Sequence, residues 1–144
     1  MNRAPLLAIV LGCFLLGIAC QRRDSASADP ISFSAHIKPI LESRCINCHH
    51  SGALFGALNL ESRSHAFKPR SEGPAIVPGQ PTQSRLYVVL TLPEADRKAM
   101  PPTGHRIPAE EVARIKQWIA EGAAWPEGPE GTLKVLVNAS PTGV

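Results

Sequence analysis

The chain has 144 residues, of which 14 are proline, 11 glycine and 5% aromatic, with a formal charge of +3. Once an apolar N-terminus is set aside, that length holds one small unit, and the proline and glycine content excludes a fold of long strands. Lys and Arg are scattered, with no basic stripe interleaved with aromatics, so no nucleic-acid partner is expected.

The first predicted element is an address. Residues 1–19 carry Arg3 and then an almost wholly apolar run, and the chain turns polar at Gln21, the layout of a secretory signal peptide. The run is shorter than the ~20 residues that a membrane-spanning helix needs. Leu16-Gly17-Ile18-Ala19-Cys20 resembles a bacterial lipobox, with Gly17 where leucine is usual. Cys20 is therefore the expected site of an N-terminal lipid that anchors the exported chain to a membrane on the periplasmic side, and 20–30 reads as a flexible tether. The alternative is a soluble periplasmic protein cut after Ala28, because Ala26-Ser27-Ala28 has the small-x-small form of an ordinary cleavage site. Under the lipid reading Cys13 leaves with the signal, Cys20 is acylated and Cys45 with Cys48 remain, so no structural disulfide is left.

Residues 31–127 are read as the folded domain. A short helix is predicted between Phe33 and Cys45, capped by Ser34 or a neighbour, with Ile37, Ile40 and Leu41 at three-four spacing. Pro39 is tolerated only in a first turn, which moves the expected start towards His36. From His50 to Gln83 the glycine, proline and serine content predicts a packed loop with one short helical turn. Leu86, Val89 and Leu90 at helical spacing predict a helix over 84–91, with a strand as the alternative because Val88 and Val89 also suit one. The last helix opens at Pro108, carries Glu110 and Glu111 at its positive end, and lines up Val112, Ile115 and Ile119 with Trp118 alongside before Gly122 ends it. Residues 128–144 read as a tail of unknown role, with a short extended piece over 132–137.

The chemistry is concentrated in Cys45-Ile46-Asn47-Cys48-His49. Two thiols three positions apart on a helical turn reach the vinyl groups on one edge of a porphyrin, and the adjacent imidazole lies beneath the ring as an iron ligand. One such motif implies one covalent haem c. A redox-active dithiol would follow a strand, whereas a helix is predicted before Cys45. A zinc site would need a second cysteine pair, and His65 and His105 lack finger-like spacing. His36, His50, His65 and His105 read as solvated, and Trp118 as helix-packing core. Arg85 and Arg106 are candidate haem-propionate partners against a default of surface arginines.

The order of features resembles class I cytochrome c, and 33–126 looks like the haem domain of planctomycete-type cytochromes. The matching pieces are Ile37-Lys38-Pro39-Ile40-Leu41, Cys45-Ile46-Asn47-Cys48-His49, Ile76-Val77-Pro78-Gly79, Ser84-Arg85-Leu86, Met100-Pro101-Pro102 and Trp118-Ile119-Ala120-Glu121-Gly122-Ala123. The resemblance implies an all-α fold, helices and loops wrapped around one covalently bound haem. It also implies His/Met ligation of the iron by His49 and Met100, with Cys45 and Cys48 bonded to the porphyrin. Apart from the initiator Met100 is the only methionine, and Pro101 and Pro102 stiffen its loop; His36, His65 and His105 are the alternatives. The expected function is a one-electron carrier at the periplasmic membrane face, not an enzyme, serving unidentified redox protein partners. A haem enzyme of peroxidase type, which needs an open iron position, and a haem-based sensing or assembly module are the rival readings.

Overall fold

A computed structural model describes residues 29–102 and 104–136. The segment read as a signal peptide, with Cys13, the expected lipid site Cys20, the expected tether as far as Ala28 and the tail beyond residue 136 lie outside the described residues. Those described form four helices, α1 (Lys38–Arg44), α2 (Arg63–Ala66), α3 (Arg85–Thr91) and α4 (Ala109–Ala120). Strand is confined among them to one small antiparallel hairpin, β1 (His49–His50) with β2 (Ala53–Leu54), paired His49 to Leu54 and His50 to Ala53. None of the described helices is long and apolar enough to cross a membrane.

The chain turns helical at Phe33, earlier than the start expected near His36. A wide turn over Phe33–Ile37 is capped by Ser32, whose Oγ accepts the Ala35 N–H, and it closes when the Lys38 N–H donates to the Phe33 carbonyl. The reason is Pro39, which has no N–H for a regular bond to Ala35 and whose ring would crowd that carbonyl; the widened turn lies immediately before it. Phe33 and Ile37 are buried on the inner face, and α1 continues it with Ile40 and Leu41.

The predicted 84–91 helix forms as α3, burying Leu86 and Leu90. Ser84, fully buried, anchors its start: its Oγ accepts the Val77 N–H at 2.8 Å and donates to the Gln80 carbonyl at 2.9 Å. The intervening Pro78-Gly79 turn docks on α4, with the Gly79 N–H donating to the Ile119 carbonyl at 2.7 Å. α4 buries Ile115, Trp118 and Ile119 as its apolar stripe predicts. It ends where Gly122 takes φ +103° and the Ala123 N–H reaches back to the Trp118 carbonyl at 2.9 Å, the left-handed cap that glycine favours. Phe33, Trp118 and Trp125 meet between the first and last helices, with ring centroids 4.5–5.9 Å apart. Trp118 is therefore core, as expected.

The first part of the segment read as a tail packs against the body. Leu133 is 4% exposed within the core, and its N–H donates to the Glu61 carbonyl at 2.8 Å. Lys38 Nζ donates to the carbonyls of Glu130 (3.0 Å) and Thr132 (2.8 Å), and the Lys134 N–H to Glu42 Oε1 at 3.0 Å. Gly131 allows the tight return, since a Cβ there would lie 1.7 Å from the Pro126 carbonyl oxygen. Residues 132–136 form no strand ladder; their hold is one buried leucine and these hydrogen bonds.

Candidate metal centre

The motif grows directly out of α1. The N–H groups of Cys45 and Ile46 both donate to the Leu41 carbonyl, at 3.0 and 2.9 Å. The chain then tightens into i→i+3 turns, Cys48 to Cys45 at 3.2 Å and His49 to Ile46 at 3.1 Å. Ile46 is fully buried and acts as the peg of this turn; it holds Cys45 at the core boundary and leaves Cys48 exposed. Both are free thiols. Burial pushes the Cys45 thiol up to about 12, with the Glu111 carboxylate adding to the effect and Arg44 opposing it.

His49 leaves the turn as the first residue of β1. Its carbonyl accepts the Leu60 N–H at 2.8 Å, so the backbone is held both by the hairpin and by the chain that follows it. Burial holds the imidazole below its ordinary pKa; the nearby carbonyls of Phe55 and Leu58 pull the other way, and the charge of Arg70 pushes it down further. The ring is thus kept neutral, the form in which a nitrogen lone pair can bind metal. Its Nδ1 is buried and makes no hydrogen bond among the described residues. Buried polar atoms are nearly always paired, so this one marks a site with a function beyond packing.

Met100 arrives from a separate loop. It is half-buried against the same core cluster that includes Cys45 and Ile46. Its N–H donates to the Val89 carbonyl at 2.9 Å, and the buried Ala99 before it is tied to Asp96 at 2.9 Å. The Met100–Pro101 peptide is cis. Farther along, Arg106 Nη2 donates to the carbonyls of Leu90 (2.6 Å) and Leu92 (2.8 Å). The turn after α1 thus carries Cys45, Cys48 and His49, and a loop pinned on α3 packs Met100 against the core cluster that holds Cys45.

The spare residues have other partners. His36 Nδ1 accepts the Ser32 N–H at 3.1 Å, His50 Nδ1 accepts the Gly52 N–H at 3.1 Å, and His65 Nδ1 lies 2.9 Å from Ser62 Oγ. His36 and His50 are half-buried rather than solvated, because each closes a local turn; His65 and His105 are exposed. Arg85 pairs with Glu72 at 3.2 Å and Arg106 with backbone carbonyls, so both guanidinium groups read as propionate candidates are engaged by the protein. Sequence reasoning missed Arg70, a half-buried cation acting on His49, since one Arg in a proline-rich loop carries no periodic signal. The described residues contain no cluster of three or more His, Cys, Asp or Glu able to hold a metal ion, which leaves the zinc reading without a ligand set.

This donor set fits a haem: two unpaired thiols for the porphyrin edge and a neutral, half-buried imidazole for the iron. Beside them Phe55 is 64% exposed, an apolar surface of the kind a flat apolar ring covers. Residues 45–104 match the family profile of planctomycete cytochrome C, a span that opens on Cys45 and includes Met100-Pro101-Pro102. No curated protein and no solved structure matches the chain.

Proposed function

Because residues 45–104 form a planctomycete-type cytochrome c domain, whose general work is haem-based electron transfer, we propose that this chain is a one-electron carrier holding a single covalent haem c. It works at the periplasmic face of a membrane, tethered by a lipid on Cys20, and exchanges electrons with other redox proteins. The observation that carries the reading is the turn Cys45–His49: two free thiols followed by a half-buried imidazole, kept neutral, whose buried Nδ1 is unpaired.

Cys45 and Cys48 hold the porphyrin as thioethers, which secures the cofactor although the surrounding core is small. His49 would hold the iron through its imidazole, its backbone fixed by the hairpin and the Leu60 hydrogen bond. Met100 would be the second protein ligand, and its uncharged sulfur would favour the ferrous state over what a second imidazole gives. When bound, the haem supplies an iron that cycles between ferric and ferrous. With His49 and Met100 both holding the iron, no coordination position would be left to a substrate, and the chain is read as a carrier rather than an enzyme.

The test is potentiometry of the purified full-length protein, followed by visible spectra of both redox states. A single one-electron wave, a low-spin c-type spectrum and a ferrous form inert to carbon monoxide at neutral pH are expected. Ready carbon monoxide binding would replace this reading with that of a haem enzyme.

A further inference from the structure

The carbonyl end of α3 serves as a dock for the loop that carries Met100. A helix leaves its last carbonyls without intrahelical partners, and here they are taken one after another. The Val88 carbonyl accepts from Thr91 Oγ1 at 2.8 Å, Val89 from the Met100 N–H at 2.9 Å, and Leu90 and Leu92 both accept from Arg106 Nη2 at 2.6 and 2.8 Å. A cation belongs at this end, where the helix dipole is negative, and hydrogen bonds from a charged donor are stronger than neutral ones.

We propose that Arg106 is a positioning residue that clamps this loop onto α3 and so keeps the Met100 sulfur on the iron. The role rests on the reading of Met100 as the distal ligand. Met100 holds its own end of the loop by one backbone bond, and Arg106 closes the other end, just before Ile107 enters the core at 8% exposure. The two pins are separated by Pro101, Pro102, Thr103, Gly104 and His105, of which the two prolines have no N–H to donate and the glycine has no side chain. With Arg106 removed, the segment loses its charged tie to α3, and the thioether competes less well with added ligands.

The experiment compares full-length holoprotein of wild type, Arg106→Ala, Arg106→Lys and Arg106→Gln by imidazole titration of the ferric form, the far-red sulfur-to-iron band and amide exchange at Met100. In the alanine variant the band weakens, the Met100 amide exchanges faster, and imidazole binds about tenfold tighter, equivalent to about 1.4 kcal/mol. Lysine, which keeps the charge without the planar fork, falls in between. Glutamine, which keeps a donor, carries the comparison if the alanine variant fails to accumulate. A purely structural role would lower the melting temperature and leave imidazole affinity at the wild-type value, and that result overturns the clamp. A wild type without the band overturns Met100 ligation and the clamp together. A wild type with the band beside unchanged Arg106 variants overturns the clamp alone.

Discussion

In the proposed haem site, the Cys45–Leu60 segment and the Met100 loop contribute their ligands by different means. On the cysteine side the ligand is part of a continuous run of backbone bonds: α1 passes into the i→i+3 turns, the turns into β1, and the Leu60 N–H closes on the His49 carbonyl. On the methionine side the ligand is contributed from far along the chain, and its loop rests on the carbonyl end of a helix of seven residues. One side is built from local order and two covalent tethers, the other from a docking contact. The contrast predicts that the first side decides whether haem is kept and the second decides what the iron binds.

The largest effect should follow from removing both tethers. Wild-type protein made with a c-type maturation system retains haem through denaturing electrophoresis, and the Cys45→Ala, Cys48→Ala double variant retains none. Haem released from the wild type under those conditions would break the comparison at its first term.

A smaller, selective effect is expected from Met100→Ala. Haem stays attached, the far-red sulfur-to-iron band disappears, the ferrous form takes carbon monoxide and the reduction potential falls. If the band survives in this variant, the distal ligand lies elsewhere and the two-sided division is wrong.

The smallest effect sharpens the account of the cysteine side. Glu61 links the turn between the strands to the following chain, accepting from Asn59 Nδ2 at 2.8 Å and Ser51 Oγ at 3.0 Å. Those bonds, the one from Asn59 foremost, hold its carboxyl below the ordinary value of 4.5 against the opposing influence of burial. A folded value below the unfolded one means that the contribution is complete above about pH 4.5 and is lost as pH falls through the folded pKa. Glu61→Gln should cost no more than about 1 kcal/mol at neutral pH, as suits partly exposed groups in water. It should also flatten the acid limb of urea midpoints below pH 4.5. A larger neutral-pH loss would show that the hairpin depends on side chains as well as on backbone pairing.

These differences mirror what the sequence could reveal. The Cys45–His49 motif is local, and its spacing alone states its chemistry. α4 announces itself through Val112, Ile115, Trp118 and Ile119, because one apolar stripe on a 3.6-residue period leaves little choice of face. Contacts that end on backbone carbonyls leave no such trace. Arg106 and Lys38 both look like ordinary surface cations until the fold brings the carbonyls of Leu90, Leu92, Glu130 and Thr132 to them. Leu133 likewise sits in a mostly apolar run with Val135 and Leu136, and nothing in that run tells that Leu133 is buried while the other two are exposed. The wide turn before Pro39 is a third case, since the proline predicts trouble there without saying whether the chain stops or loosens.

The bonds from Lys38 to Glu130 and Thr132 span 92 and 94 residues. A chain is made from its N-terminus, so residues 45–49 leave the ribosome well before Leu133, which joins the same buried cluster as Cys45. The final layer of the core cannot close until that leucine is out, and contacts of such long sequence separation form late for entropic reasons as well. The closing segment therefore ties together distant parts of the domain: a chain cut before Leu133 keeps the Cys45–His49 motif but loses the buried leucine and its bond to the Glu61 carbonyl.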